Sequence, residues 1–380
     1  MLYADYNATT PLDPEVRTAM AEALDESFGN PSSIHRAGQQ ARRLVERARA
    51  QAAALIGAEP DEIIFTSGGT ESDNLAVLGA VAAAPVGRAG VVTSAIEHHA
   101  VLEPCAQLQR QGHPVTLVGV DREGQLDRLA LAAALKTEVA LVSVMLANND
   151  TGVVQPVAEV AQAAAACGAL VHTDAVQVAG KLPVDVEGLG VSLLSFSSHK
   201  LYGPKGAGAL YLRRGARIAP LVHGGRQERT LRPGTENVPA IVGFGKACEL
   251  ARARLAADAA HVRALRERFE RLVLERVPGT RINGGGAERL ANTSSLGFAG
   301  LDGEAITINL DLLGMAVSRG AACSAADQKP SHVLLAMGQS EAEARASVRF
   351  SFGRQTAEAE VDRMVALVVQ AVSLVRGARA

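Results

Sequence analysis

Tryptophan is missing from this chain, and aromatic residues make up only 3% of it. The stacking platforms on which a single-strand nucleic-acid binder relies are therefore lacking. Neither sign of charge is in excess: the formal net charge is -2, too balanced for a protein that grips polyanions with a basic face. No run of about 18 apolar residues occurs, the length a membrane span requires. The opening "MLYADYNATTPLD" has neither the charged nor the hydrophobic region of a signal peptide. These absences predict a cytoplasmic protein that binds neither membrane nor nucleic acid. Cysteine is sparse as well. Cys105, Cys167, Cys248 and Cys323 are scattered without a CxxC pair, which suggests neither a zinc site nor a disulfide framework.

Apolar material, by contrast, is plentiful. Hydrophobic residues are 48% of the 380, enough for one large core and one smaller one. From about residue 60 to 215, "EIIFT", "GVVTSA", "PVTLVGV", "VALVSVM", "ALVHTD", "VSLLSF" and "GALYL" read as strands. Alanine-rich helical patterns such as "ESDNLAVLGAVAAA" and "PVAEVAQAAAACG" lie between the earlier ones. That alternation predicts an α/β fold with a mostly parallel seven-stranded sheet between helices, its last two strands close enough to pair antiparallel. A long helical stretch over 238–276 leads away from this unit, and an α+β pattern follows it. The reading assigns 15–255 to a large α/β domain, and 1–14 with 256–380 to a small α+β domain carrying Cys323.

Ligands of open α/β sheets bind beyond the carboxyl ends of the strands, which here read "TSGGTES", "AIEHHA", "ANNDTG", "HTDAVQ" and "SSHK". Gly69 and Thr70 stand at a strand-to-helix turn, where backbone N–H groups and the helix dipole favour an anion such as phosphate; a plain N-cap with a tight turn has the same residues. Asp174 leaves a buried strand and needs a partner, either a ligand or a structural salt bridge. In "FSSHKLYGPKGAG", Lys200 is followed at once by chain-breaking residues, unlike a lysine on a surface helix. A lysine, an acid at a strand end and a phosphate-binding turn are together the set that pyridoxal phosphate requires. Lysine forms a Schiff base with it, the acid pairs with the pyridine nitrogen, and backbone and hydroxyl groups hold the phosphate. Ser197 and His199 flank Lys200 and can donate to that phosphate. His98 suits a group that lies on the ring and moves protons at neutral pH, with His99 pointing elsewhere. Gln177 suits a hydrogen bond to the phenolic oxygen.

At this point the chain resembles the cysteine desulfurases of the NifS/IscS type, fold-type-I pyridoxal phosphate enzymes of the class-V aminotransferase family. The resemblance rests on "DYNATTPLDP", "FGNPSSIH", "FTSGGTESDN", "EHHAVL", "NNDTGVVQP", "HTDAVQVAGKLPVDV", "SFSSHKLYGPKGAGALYLRRG", "HGGRQERTLRPGTEN", "GAACSAADQKPSHVL" and "RFSFGR", in order along nearly the whole chain. It implies Lys200 as the Schiff-base lysine, Asp174 as the pyridine partner, Gln177 as the phenolate contact and His98 as the stacking acid/base. It implies a phosphate held by Gly69, Thr70, Ser197 and His199, with Thr235 reaching in from the second subunit of a homodimer. Asn149 and Arg349 match the positions that hold the substrate carboxylate, and Cys323 the nucleophile that takes sulfur from L-cysteine as a persulfide. A sulfur-acceptor protein, such as an iron–sulfur scaffold, is the implied recipient.

Cys323 also reads as reactive by itself, since "GAACSAADQKPS" is small, polar and loop-like. The chain departs from the family at Asp150, where "NNE" is more usual, and at Arg319 and Ala321, where serines are typical. It also ends soon after its last helix, where some members carry a longer tail that docks their scaffold, so the resemblance does not fix the acceptor. An aminotransferase or selenocysteine lyase of the same fold needs Lys200 but no nucleophilic cysteine. A dinucleotide-binding dehydrogenase is disfavoured because no G-x-G-x-x-G follows the first strand of the alternating unit; a non-catalytic assembly scaffold is a third option, against which a yellow purified protein would count.

Overall fold

The computed structural model describes residues 1–136, 138–319 and 329–377. Cys323 and its neighbour Ala321 lie outside the described residues. Twelve strands occur among those described. After β1 (Leu2–Tyr3), the large sheet takes β2 (Ile63–Thr66), β3 (Gly90–Ser94), β4 (Val115–Val118), β5 (Val139–Ser143), β6 (Leu170–Asp174), β7 (Leu193–Ser197) and β8 (Gly208–Leu212). Then come β9 (Thr280–Ile282), β10 (Thr293–Phe298), β11 (Met315–Ala316) and β12 (Ser347–Ser351).

The seven-stranded sheet has the order β2-β8-β7-β6-β5-β3-β4. Only β8 runs against its neighbours β2 and β7; every other pairing is parallel. Most of these strands are buried along their length, as continuous apolar runs such as "IIF" and "VALV" require when helices cover both faces. Because β8 alone is reversed, β2, β3, β5, β6 and β7 all end on one edge. That edge is where the polar residues of the sequence stand.

Two helices precede the sheet, Pro14–Glu26 and Arg36–Ile56, in a region to which the sequence reading assigned no element. The second buries Ala41, Val45, Ala48, Ala52 and Ile56 on one face and stops at Gly57, whose φ of 70° needs no Cβ penalty. The 39-residue helix Val238–Arg276 belongs to two cores. Its first half sends Ile241, Phe244, Ala247 and Cys248 into the core under the large sheet, and its second half sends Leu265, Phe269, Leu272 and Val273 into a core shared with β1, β10, β12 and the last helix, Glu358–Gly377. A smaller sheet, β12-β10-β9, faces that second core, and β1 pairs in parallel with β11 beside it.

Phe244 is fully buried, with ring centroids 6.3 Å from Phe65 and 5.3 Å from Phe196, so it fastens the long helix to the large sheet. Phe244→Ala is expected to cost about 3–5 kcal/mol, read as a lower urea midpoint. The exposed Leu374→Ala is expected to stay within about 0.5 kcal/mol of the parent.

Candidate active site

The strand ends place the candidate side chains side by side. Asp174 closes β6, Ser197 closes β7, and Lys200 ends the single helical turn that follows. His98 caps the helix His99–Arg110 after β3, and Gly69 opens the helix Gly69–Ala82 after β2. A cavity of about 400 Å³ lies over these ends, lined by Gly69, Thr70, His98, Asn149, Asp174, Gln177, Ser197, His199, Lys200 and Arg349. Asn7, Ala8, Asp73, Asp150 and His332 line it too. His99 also borders it, against the expectation that it points elsewhere; it is exposed, with its ring 4.9 Å from that of His332.

Lys200 Nζ donates to the main-chain oxygens of Asn7 (2.5 Å) and Ala8 (2.7 Å). Asn7 O also accepts from Gln177 Nε2 (3.0 Å), while Gln177 Oε1 accepts from Lys181 Nζ (3.0 Å). Both ends of the Gln177 amide are thus engaged within the protein, and a ligand contact from it uses the second hydrogen of Nε2. Burial, then the like charges of Lys200 and Arg349, push the Lys181 ammonium down to about 7.

The end near the helix Gly69–Ala82 suits an anion. The N–H groups of Gly69 and Thr70 have no intrahelical acceptor, and the helix dipole adds positive potential. A Cβ at Gly69 would lie 2.7 Å from Val176 Cγ2, and one at Gly208 would lie 2.6 Å from Gly68 Cα. Only glycine lets the turn, the lysine loop and the chain after β6 approach so closely. Ser197 Oγ is buried and has no hydrogen-bond partner among the described residues, an omission worth about 1–3 kcal/mol unless a ligand answers it. His199 Nδ1 lies 3.1 Å from Thr9 Oγ1. Burial, then Lys200, push the His199 pKa down to about 4, so the ring is neutral at physiological pH with a single N–H to offer.

The opposite end is acidic. Asp174 accepts from Val176 N at 2.8 Å, and burial raises its pKa against the opposing pull of His98 and Lys200. Beneath it Asp73 is buried 3.5 Å from His172 Nε2. Burial holds His172 neutral, at about 3, and its two nitrogens meet Ser143 Oγ (2.8 Å) and Ser195 Oγ (3.0 Å). Asp73 is therefore raised well above the carboxylate range, by burial first and then by the charge of Asp174. Buried carboxyls with so little countercharge fit a ligand that brings a protonated ring nitrogen to Asp174. The orphaned Ser197 hydroxyl fits its phosphate.

His98 Nδ1 accepts from Ala100 N at 3.1 Å, which leaves the proton of the neutral ring on Nε2. Burial lowers the His98 pKa, partly offset by Asp174. Arg349, 3% exposed, is engaged within the protein: Nη2 with Asp5 Oδ1 (2.8 Å), and Nη1 with Asn149 O (3.1 Å) and Asp150 Oδ1 (3.7 Å). Its fork is not an empty carboxylate receptor. Thr235 is exposed and does not border the cavity of its own chain. The loop before it turns back through Glu228, Arg229 and Thr230, all at positive φ. Glu228 pins it by accepting from Arg49 at 2.7 and 2.8 Å and from Phe65 N at 2.8 Å.

Over residues 2–364 the chain matches the model of the aminotransferase class-V family, and it is 46% identical over 376 residues to cysteine desulfurase 2 of Trichormus variabilis, across 99% of this chain and 94% of that protein. The chain belongs to that family, among its cysteine desulfurases. It is 47% identical over 361 residues to cysteine desulfurase IscS of Dictyoglomus turgidum, covering 95% of this chain and 92% of that one. A solved NifS-like protein superposes with a TM-score of 0.92 at 37% identity, across 98% of this chain and 99% of the other. The cofactor of this desulfurase family is pyridoxal phosphate, and the mainly parallel sheet is that of its fold. No helix among the described residues is long and apolar enough to cross a membrane.

Glu97, fully buried next to His98, accepts from Met145 N at 2.9 Å and from Ser94, and burial pushes its pKa from 4.5 up to about 8. The folded protein thus keeps this proton where the unfolded chain has lost it. The associated stability is full below 4.5 and is lost as pH rises through about 8. Relative to the parent, Glu97→Gln is expected to gain stability in urea unfolding between about pH 5 and pH 8. A constant difference across that range would show Glu97 ionised in the folded protein.

Proposed function

We propose that the protein is a pyridoxal-phosphate-dependent cysteine desulfurase working as a cytoplasmic homodimer, which converts L-cysteine to L-alanine and leaves a persulfide on Cys323 for a sulfur-acceptor protein such as an iron–sulfur scaffold. The observation that carries this reading is the meeting in one cavity of Lys200, the buried Asp174 and the orphaned Ser197 hydroxyl beside a helix N-terminus. Bound there, the cofactor supplies a reactive carbonyl and an electron sink.

The residues divide the remaining work. The N–H groups of Gly69 and Thr70, with Ser197 and His199, hold the phosphate, joined by Thr235 of the partner subunit. Asp174 keeps the ring nitrogen protonated, and Gln177 reaches the phenolic oxygen. Lys200, whose Nζ now donates to the Asn7 and Ala8 carbonyls, is the residue that would hold the cofactor covalently. His98, neutral and with its proton on Nε2, holds or moves a proton beside the substrate Cα. Asn149 and Arg349 hold the carboxylate of L-cysteine, Arg349 by giving up part of its contact with Asp5 or Asp150. At Cys323 Sγ an S–S bond forms as the C–S bond of the substrate breaks. Enzyme thiol plus L-cysteine thereby become enzyme persulfide plus L-alanine, with no external oxidant.

Borohydride treatment of the holoenzyme followed by peptide mapping is expected to place the pyridoxyl mass on Lys200; recovery on Lys181 or Lys205 would overturn the assignment. Cys323→Ser is expected to retain the cofactor and its absorbance response to L-cysteine, while alanine output falls by more than about a hundredfold. Undiminished alanine would instead mean direct elimination of sulfide without an enzyme nucleophile.

A further inference from the structure

The described residues on either side of Cys323 are tied to one buried arginine, one directly and the other through a carboxylate. Before it, Ser318 pairs with Arg349 as an antiparallel bridge, with Arg349 N donating to Ser318 O at 2.6 Å and Ser318 N to Arg349 O at 3.2 Å. After it, Ser331 Oγ donates to Asp150 Oδ2 at 2.7 Å. The other oxygen of that carboxylate accepts from Asn149 Nδ2 at 2.9 Å and lies 3.7 Å from Arg349 Nη1. One carboxylate therefore joins the anchor that follows Cys323 to the pair assigned above to the substrate carboxylate.

Asp150 is built for fixed geometry. It is 3% exposed, and its own N–H donates to Asn148 Oδ1 at 2.8 Å. The chain beyond Ser331 is equally fixed: His332 Nε2 lies 2.9 Å from Glu97 O, and Val333 and Leu334 pack with Ile96 and Met145. Neutralising Arg349 does not by itself explain Asp150, because Asp5 already pairs with that guanidinium at 2.8 Å. The shortest bond of Asp150 goes to a neutral hydroxyl. Burying a carboxylate for such a bond costs desolvation, so stability alone does not account for it.

We propose that Asp150 is a positioning residue for sulfur transfer, holding Ser331 in register with the Asn149–Arg349 pair so that the root of the nucleophile stretch and the substrate carboxylate share one frame. The inference rests on the functional reading above. A misplacement of about 1 Å can cost about a hundredfold in rate, so loss of either side of the tie falls on the transfer step.

The test compares the holoenzyme with Asp150→Ala, Ser331→Ala, the double variant and Asp150→Glu, reading KM for L-cysteine, the rate of persulfide formation on Cys323 by mass spectrometry, and the thermal midpoint. Ser331→Ala is expected to slow persulfide formation by about tenfold or more with cofactor content and KM little changed. Asp150→Ala is expected to slow it at least as much and to raise KM, since it also releases Asn149. The double variant is expected to be no slower than Asp150→Ala, and Asp150→Glu, which keeps the carboxylate, to be faster than Asp150→Ala. Losses that multiply in the double variant would overturn the proposal, as would a lower thermal midpoint with an unchanged persulfide rate in both single variants. If the unsubstituted holoenzyme makes no alanine from L-cysteine, the functional reading itself fails; if it does and the variants match it, only this inference fails.

Discussion

The main-chain oxygen of Asn7 is the point from which the geometry of the cavity is set. It accepts from Lys200 Nζ and from Gln177 Nε2, so the end of β7 and the turn after β6 are referred to one atom. The rest of Asn7 is tied elsewhere. Its N–H donates to Ser351 Oγ, its Nδ2 donates to Thr293 Oγ1 and Asn149 O, and its Oδ1 accepts from Asn292 Nδ2. One residue near the start of the chain thereby holds strands β10 and β12 of the smaller sheet in register with the lysine on the larger one. With Asn7 1% exposed, a broken bond here leaves a polar group without water to replace its partner.

Charge follows the same division of space. Lys200, Lys181 and Arg349 stand toward the N-terminal segment and β12, whereas Asp73, Glu97 and Asp174 lie under the sheet edge. Burial drives Lys181 and the three acids toward their neutral forms, lowering the Lys181 pKa and raising those of Asp73, Glu97 and Asp174. A ligand that is anionic at one end and carries a protonated ring nitrogen at the other restores what burial has removed. His172 shows the alternative solution, a histidine that burial holds neutral and whose two ring nitrogens meet serine hydroxyls in the layer beneath. The cavity thus has polarity along its length, and its hydrogen-bond donors and acceptors are sorted by the strand that delivers them.

The end proposed to hold the substrate carboxylate has a different construction. Asn149 and Asp150 come from the loop after β5 in the large sheet, while Arg349 comes from β12 in the small one. Neither sheet forms this end by itself. The long helix Val238–Arg276, buried in both cores, keeps the two at a fixed distance, so packing far from the cavity decides whether these three side chains meet.

Much of this was legible in the residues. Strands buried on both faces must be continuous apolar runs, which is why the strands of the large sheet other than the partly exposed β4 stood out most clearly, and a lysine followed by chain breakers at a strand end announced Lys200. Helix Arg36–Ile56 escaped because its apolar face is mostly alanine, "RAGQQARRLVERARAQAAALI", and alanine marks a face weakly. The Asn7 and Ala8 carbonyls escaped for a deeper reason: every residue carries one, so no residue type signals which will hold a lysine. Ser331 and Asp150 are 181 positions apart, and neither sequence context points to the other. The sequence by itself determined the order of strands and helices and the chemical groups at the strand ends, since both follow from local periodicity and residue type. Only the tertiary structure decided that Asn7 would govern Lys200 and that Arg349 would be shared among Asp5, Asn149 and Asp150, because those contacts depend on how two cores and one long helix pack, which no local pattern encodes.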